Sequence, residues 1–137
     1  MKIVLDKGAY LPEKAHEYDA GYDLRTPARA VVPAHGSVCI DTGVHVQIPA
    51  GFYGKLESKS GLNVKHSVVS LGGVIDSGYT GSIVAKLYNM GDADYVFQYG
   101  DKVVQLIIQP CAGLLMEPAD SLEETDRGND GFGSTGR

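Results

Sequence analysis

The sequence predicts an all-β protein: a sandwich, a barrel or a jelly roll. Short apolar runs alternate with polar residues, most clearly in Val44-His45-Val46-Gln47-Ile48, the period of a half-buried strand. Turn residues punctuate these runs at short intervals. No stretch has convincing helical periodicity beyond a turn near Ser60 to Val64.

The first strand is read at Lys2 to Leu5, and the next within Ala28 to Pro33 around Ala30-Val31-Val32. One long run covers Val38 to Ile48, and Gly51 to Leu56 alternates again through Phe52, Tyr53 and Lys55. Gly81 to Asn89, Tyr95 to Phe97 and the β-branched Lys102 to Gln109 complete the set. Turns are read at Pro33 to Gly36, Pro49 to Gly51, Leu71 to Gly73, Asp76 to Gly78, Asn89 to Asp92 and Tyr99 to Asp101.

The 137 residues suit one domain, assigned to 1–124. From Glu117 the chain turns acidic, and residues 125–137 read as a flexible glycine-rich tail. No apolar run is long enough to span a bilayer, and Met1 to Asp6 is charged too soon for a signal peptide, so a soluble cytoplasmic protein is expected. The net charge of −5 argues against general nucleic-acid binding. Cys39 and Cys111 are expected to be reduced, buried thiols. The histidines at 16, 35, 45 and 66 lack zinc-ligand spacing.

Two segments carry the strongest chemical signal. In the tail, Arg127, four glycines, Phe132, Ser134 and Thr135 lie close together. Glycines let backbone N–H groups approach oxyanions, the hydroxyls add donors, Arg forks onto phosphate, and Phe stacks on a flat ring. This composition reads as a flap over a nucleotide. The second segment, Gly72 to Gly81, reads as a β-hairpin with Asp76 and Tyr79 near its turn. A carboxylate there suits a general base, and hairpin backbone can hydrogen-bond the edge of a base. Weaker signals are Lys59, Ser60 and Gly61 after a strand, Asp23 inside an apolar stretch, and Gln105 inside an apolar strand.

In order, AGYDL (from Ala20), SKSGL (from Ser58), GVIDSGYTG (from Gly73), GDKVVQ (from Gly100) and RGNDGFGSTG (from Arg127) resemble the five motifs of the trimeric deoxyuridine triphosphatases, or dUTPases. The resemblance implies a jelly-roll-like β-barrel forming a homotrimer, with three sites at subunit interfaces and a mobile C-terminal arm from one subunit closing a site built by its neighbours. It implies hydrolysis of dUTP to dUMP and pyrophosphate with Mg²⁺, no nucleic-acid or membrane partner, and no direct protein ligand to the metal.

By position, the resemblance implies that Asp76 orients and deprotonates the attacking water and contacts the 3′-OH. Tyr79 packs under the deoxyribose and leaves no room for a 2′-OH. Backbone around Gly73, Val74 and Ile75 reads uracil. Lys59, Ser60 and Gly61 hold phosphates, Gln105 meets the α-phosphate, and Asp23 supports the site, through water on the metal. Arg127, Gly133, Ser134 and Thr135 grip the phosphates while Phe132 stacks over uracil. Two positions depart from the family pattern: Lys59 stands where Arg is usual, keeping charge but losing the bidentate fork, and Tyr99 stands where a basic residue often precedes Gly-Asp. The rival readings are a dCTP deaminase-like enzyme, disfavoured because no Glu lies between Leu71 and Gly81, and a regulatory protein on the same scaffold with an additional protein partner.

Overall fold

The computed structural model describes residues 1–131. Among the described residues eleven strands appear: β1 (Lys2–Leu5), β2 (Gly21–Arg25), β3 (Ala30–Val32), β4 (Ser37–Asp41), β5 (Val44–Gln47), β6 (Phe52–Glu57), β7 (Val68–Val69), β8 (Val74–Ile75), β9 (Val84–Asn89), β10 (Tyr95–Phe97) and β11 (Lys102–Pro110). One short helix, α1 (Ser60–His66), lies between β6 and β7. The all-β expectation holds.

The strands form four small sheets, β1-β5, β3-β10, β2-β11-β6-β8 and β4-β9-β7, and the named pairs are antiparallel. Their inward residues meet in one apolar core that includes Leu24, Leu56, Leu87, Phe97 and Leu106, each at most 2% exposed. The alternation read from the sequence is visible in burial: along β9, Ala85, Leu87 and Asn89 are buried while Val84 and Lys86 are exposed. Asn89 is tolerated inside because its amide donates to the carbonyls of Val32 and Ala93, at 3.1 and 2.8 Å.

Three expectations are revised. The run from Val38 to Ile48 is two strands, broken at Thr42-Gly43, where Gly43 has φ +64°. The hairpin expected over Gly72 to Gly81 is instead a corner between sheets. β8 pairs with β6, whereas β9 pairs with β4 and β7. The chain is drawn across because the Ile83 N–H bonds the Val44 carbonyl at 2.9 Å and the Thr42 hydroxyl bonds the Ile83 carbonyl at 2.7 Å. Both cysteines are unpaired, as expected, but exposed: Cys39 occupies an outward position of β4, beside buried Ile40, and Cys111 follows the last strand. The Cys111 N–H closes β11 onto Gly51, and residues 111–130 are exposed, with no strand or helix.

Candidate active site

The large sheet positions one group of motif residues by register. Asp23 on β2 pairs with Gln105 on the central strand β11, and Gln105 pairs with Glu57 on β6. Directly paired residues project from the same face, so Asp23 and Gln105 of two motifs meet in one row with Glu57, which directly precedes a third. Lys59 follows two residues beyond Glu57 and turns back onto Asp23, its ammonium on Oδ1.

Lys102 supplies a second cation, and sequence reasoning missed it. Its Nζ lies 2.6 Å from Asp23 Oδ2. Strict alternation along β11 would put Lys102, three residues from Gln105, on the opposite face. A register shift between Lys102 and Val104 inserts one extra residue and reverses that parity, so Lys102 pairs with Arg25, two positions from Asp23 on the same face. The bulge has no sequence signature, and only pairing reveals it.

Asp23 is 7% exposed. Burial alone would push its carboxyl up; the two lysines outweigh that and hold it below the usual carboxylate range. Two ammonium groups around one carboxylate leave an excess of positive charge there in an otherwise acidic chain. Gln105 lies beside it. Its Nε2 donates to the Ser58 carbonyl at 3.2 Å, and a Cβ on Gly21 would stand only 2.5 Å from its Oε1. Gly21 is therefore the space in which the Gln105 amide lies. Ser60 and Gly61 open α1, and both are exposed. The Ser58 hydroxyl joins this loop to the next motif, donating to the Ser70 carbonyl at 3.0 Å and accepting the Ser70 N–H at 2.8 Å.

The second group lies on the corner after β8. The Tyr79 N–H bonds the Asp76 carbonyl at 3.0 Å, so Asp76 heads a tight turn, as expected. Asp76 is exposed. Tyr79 is 44% exposed, and its hydroxyl donates to the Ser82 carbonyl at 2.9 Å. These residues line a cleft of about 230 Å³ with Val74, Ile75, Ser82 and Val84. β8 is an edge strand. The Gly73 carbonyl accepts the Leu56 N–H at 2.9 Å, so alternation turns the N–H and C=O of Val74 toward the open edge. Gly73 has φ +135°, and a side chain there would run into Leu56, which explains the glycine.

The structure does not bring the two groups together. Gly54 pairs with Ile75, which sets Asp76 level with Tyr53. Tyr53 to Glu57 is four residues of strand, roughly 13 Å, and Lys59 lies farther on. Arg127 is exposed, with Nε donating to the Asp130 carbonyl at 3.0 Å. Phe132, Gly133, Ser134 and Thr135 lie outside the described residues.

Among the described residues no group of three or more His, Cys, Asp or Glu side chains could hold a metal ion. Each of the two Asp23 oxygens carries one ammonium group. No helix among the described residues is long and apolar enough to cross a membrane.

A small antiparallel β-barrel scaffold with a buried cation-flanked carboxylate and a separate carboxylate turn defines a phosphate-handling class of protein. The pattern described as dUTPase matches residues 7–136, and the chain belongs to the dUTPase family. It is 40% identical over 132 residues to the probable deoxyuridine 5′-triphosphate nucleotidohydrolase of Schizosaccharomyces pombe, covering 96% of this chain and 94% of that one. Identity is also 40%, over 136 residues, to the deoxyuridine 5′-triphosphate nucleotidohydrolase of Paramecium bursaria Chlorella virus 1, with the same shares covered. The fold matches Staphylococcus bacteriophage 80alpha dUTPase with dUPNHPP at a TM-score of 0.93, with 28% identity over 99% of this chain and 98% of that one. A dUTPase mutant from phage phi11 of S. aureus, described with a structural Mg(II) ion, gives a TM-score of 0.82 at 29% identity over 90% and 98% of the two chains.

Proposed function

We propose that the chain is a dUTP diphosphatase that hydrolyses dUTP to dUMP and pyrophosphate, in a homotrimer whose sites are each built from several copies. The carrying observation is that the family motifs fall on two surfaces of one chain, each holding half of the required chemistry. The Lys59–Asp23–Lys102 cluster is a ready-made phosphate site. The Asp76 turn and the β8 edge form a base and sugar site. Copies related by symmetry can set one beside the other. Leu114, Leu115, Met116 and Leu122 are 85–99% exposed in the single chain, apolar surface that association would cover.

In this reading Lys59, with Ser60 and Gly61, neutralises and positions the triphosphate. Gln105 swings its amide from the Ser58 carbonyl to the α-phosphate. Asp76 accepts the 3′-OH, orients the attacking water and takes its proton. Tyr79 lies under the deoxyribose and fills the place of a 2′-OH. The outward N–H and C=O of Val74, between Gly73 and Ile75, pair with uracil. Cytosine presents mismatched donors and acceptors, and thymine adds a methyl group. Arg127 and the segment with Phe132, Gly133, Ser134 and Thr135 close over the nucleotide. Mg²⁺, brought by the triphosphate, would offset charge on the phosphates. Catalysis here is mostly positioning and charge neutralisation.

Pyrophosphate release from dUTP beside dCTP, dTTP and UTP tests the activity; strong preference for dUTP is expected. Deamination of dCTP without dUTP cleavage would replace this reading with the deaminase one. Sedimentation equilibrium tests the assembly, with three chain masses expected.

A further inference from the structure

The segment just after the Asp76 turn is held by two tethers outside the motifs. Asp41, at the end of β4, accepts the Ser82 hydroxyl and, at 3.0 Å, the Gly43 N–H. The other tether is His45, on β5. Its Nδ1 lies 2.9 Å from the Thr80 carbonyl, and its Nε2 lies 3.4 Å from Asp6 Oδ2, just past the end of β1. The ring is 27% exposed and lines a groove of about 520 Å³ between β1, β5 and Thr80. Thr80 is the residue after Tyr79. Because the Tyr79 hydroxyl is itself bonded to the Ser82 carbonyl, the ring that faces the sugar in the proposed site hangs between the two tethered residues.

The geometry points to His45 as a positioning residue for sugar discrimination: by bonding Thr80 with one ring nitrogen and Asp6 with the other, it fixes Tyr79 where a 2′-hydroxyl would have to enter. This inference rests on reading the Asp76–Tyr79 turn as the sugar site. Both ring nitrogens face acceptors, and imidazole has two N–H donors only when protonated. The Thr80 carbonyl, then Asp6, push His45 above its ordinary value of 6.5, with a lesser pull from Asp41. Lys2 is the other charged group lining the groove. A raised value means that the double contact is complete below the ordinary value and is lost as pH rises through the raised one.

The test compares kcat/KM for dUTP and UTP in the full-length wild type, His45→Ala and His45→Asn from about pH 6 to pH 8.5. His45→Ala is expected to lower the dUTP-to-UTP ratio about fivefold, the weight of one lost hydrogen bond. The amide nitrogen of Asn can stand in for Nδ1. His45→Asn should therefore recover most of the ratio and make it flat with pH, where the wild-type ratio declines as pH rises. An unchanged ratio in His45→Ala, with dUTP still hydrolysed, overturns the inference. If the wild type cleaves neither nucleotide, the functional reading falls by itself, and hydrogen exchange then decides the tether. Faster exchange at Tyr79 to Gly81 in His45→Ala, largely restored in His45→Asn, supports it; unchanged exchange in His45→Ala overturns it.

Discussion

The two halves of the proposed site are built in opposite ways. Around Asp23, the groups are already engaged with one another: two lysines on one carboxylate, Gln105 on the Ser58 carbonyl, and three strands in register beneath them. Around Asp76, the carboxylate is exposed, the tyrosine is half exposed and the edge of β8 is open. A phosphate site must pay in advance for holding like charges together, and Asp23 does so by sharing itself between two cations. A site that recognises a base and presents a water must stay open until its partner surfaces arrive.

The sharpest way to break the contrast is Asp76→Asn. Because the side chain is exposed, folding should be unchanged, while pyrophosphate release falls about 1,000-fold through loss of the general base. Unchanged turnover would move the base elsewhere. Deleting residues 127–137 should cost about 100-fold in turnover with circular dichroism and sedimentation unaltered, the weight of lost phosphate donors. In the engaged half, Gly21→Ala should drive the Gln105 amide from its place and lower kcat/KM about tenfold, and it should also lower Tm, because the added Cβ would stand 2.9 Å from the Gln105 Cβ. Normal kcat/KM would mean that Gln105 does not need that space.

The smallest effect concerns acid stability. Because the folded Asp23 value is lowered, its contribution is present above the ordinary carboxylate value of 3.8 and disappears as pH falls through the lower folded value. Denaturant titrations of wild type and Asp23→Asn should therefore differ most at neutral pH, by about 1–2 kcal/mol for a partly screened pair, and converge in strong acid. A gap that persists at low pH would mean that packing, not charge, explains the residue.

Legibility in the sequence followed the same divide. Asp76 at the head of its turn was readable because turn chemistry is local: Asp, Ser, Gly and Tyr settle it among themselves. The strands were readable wherever one face is buried, as in β9. β2 was not read as a strand because its inward position holds Asp23, whose burial makes sense only beside lysines 36 and 79 residues away. α1 was read only as a turn because it buries no residue and so has no apolar stripe. Lys102 was hidden by a bulge, and the sheet switch after β8 depends on Thr42 and Ile83, which no local pattern connects. Resemblance supplied the roles; register explained why the residues of motifs one, two and four sit together.

The separation of Asp76 from Lys59 along β6 has a genetic consequence. If each site in the proposed trimer draws Asp76 from one copy and Lys59 from another, two different defects can cancel. A strain carrying one gene for Asp76→Asn and another for Lys59→Ala would assemble mixed trimers, and about one site in four would inherit both intact groups. Neither gene alone would give such a site.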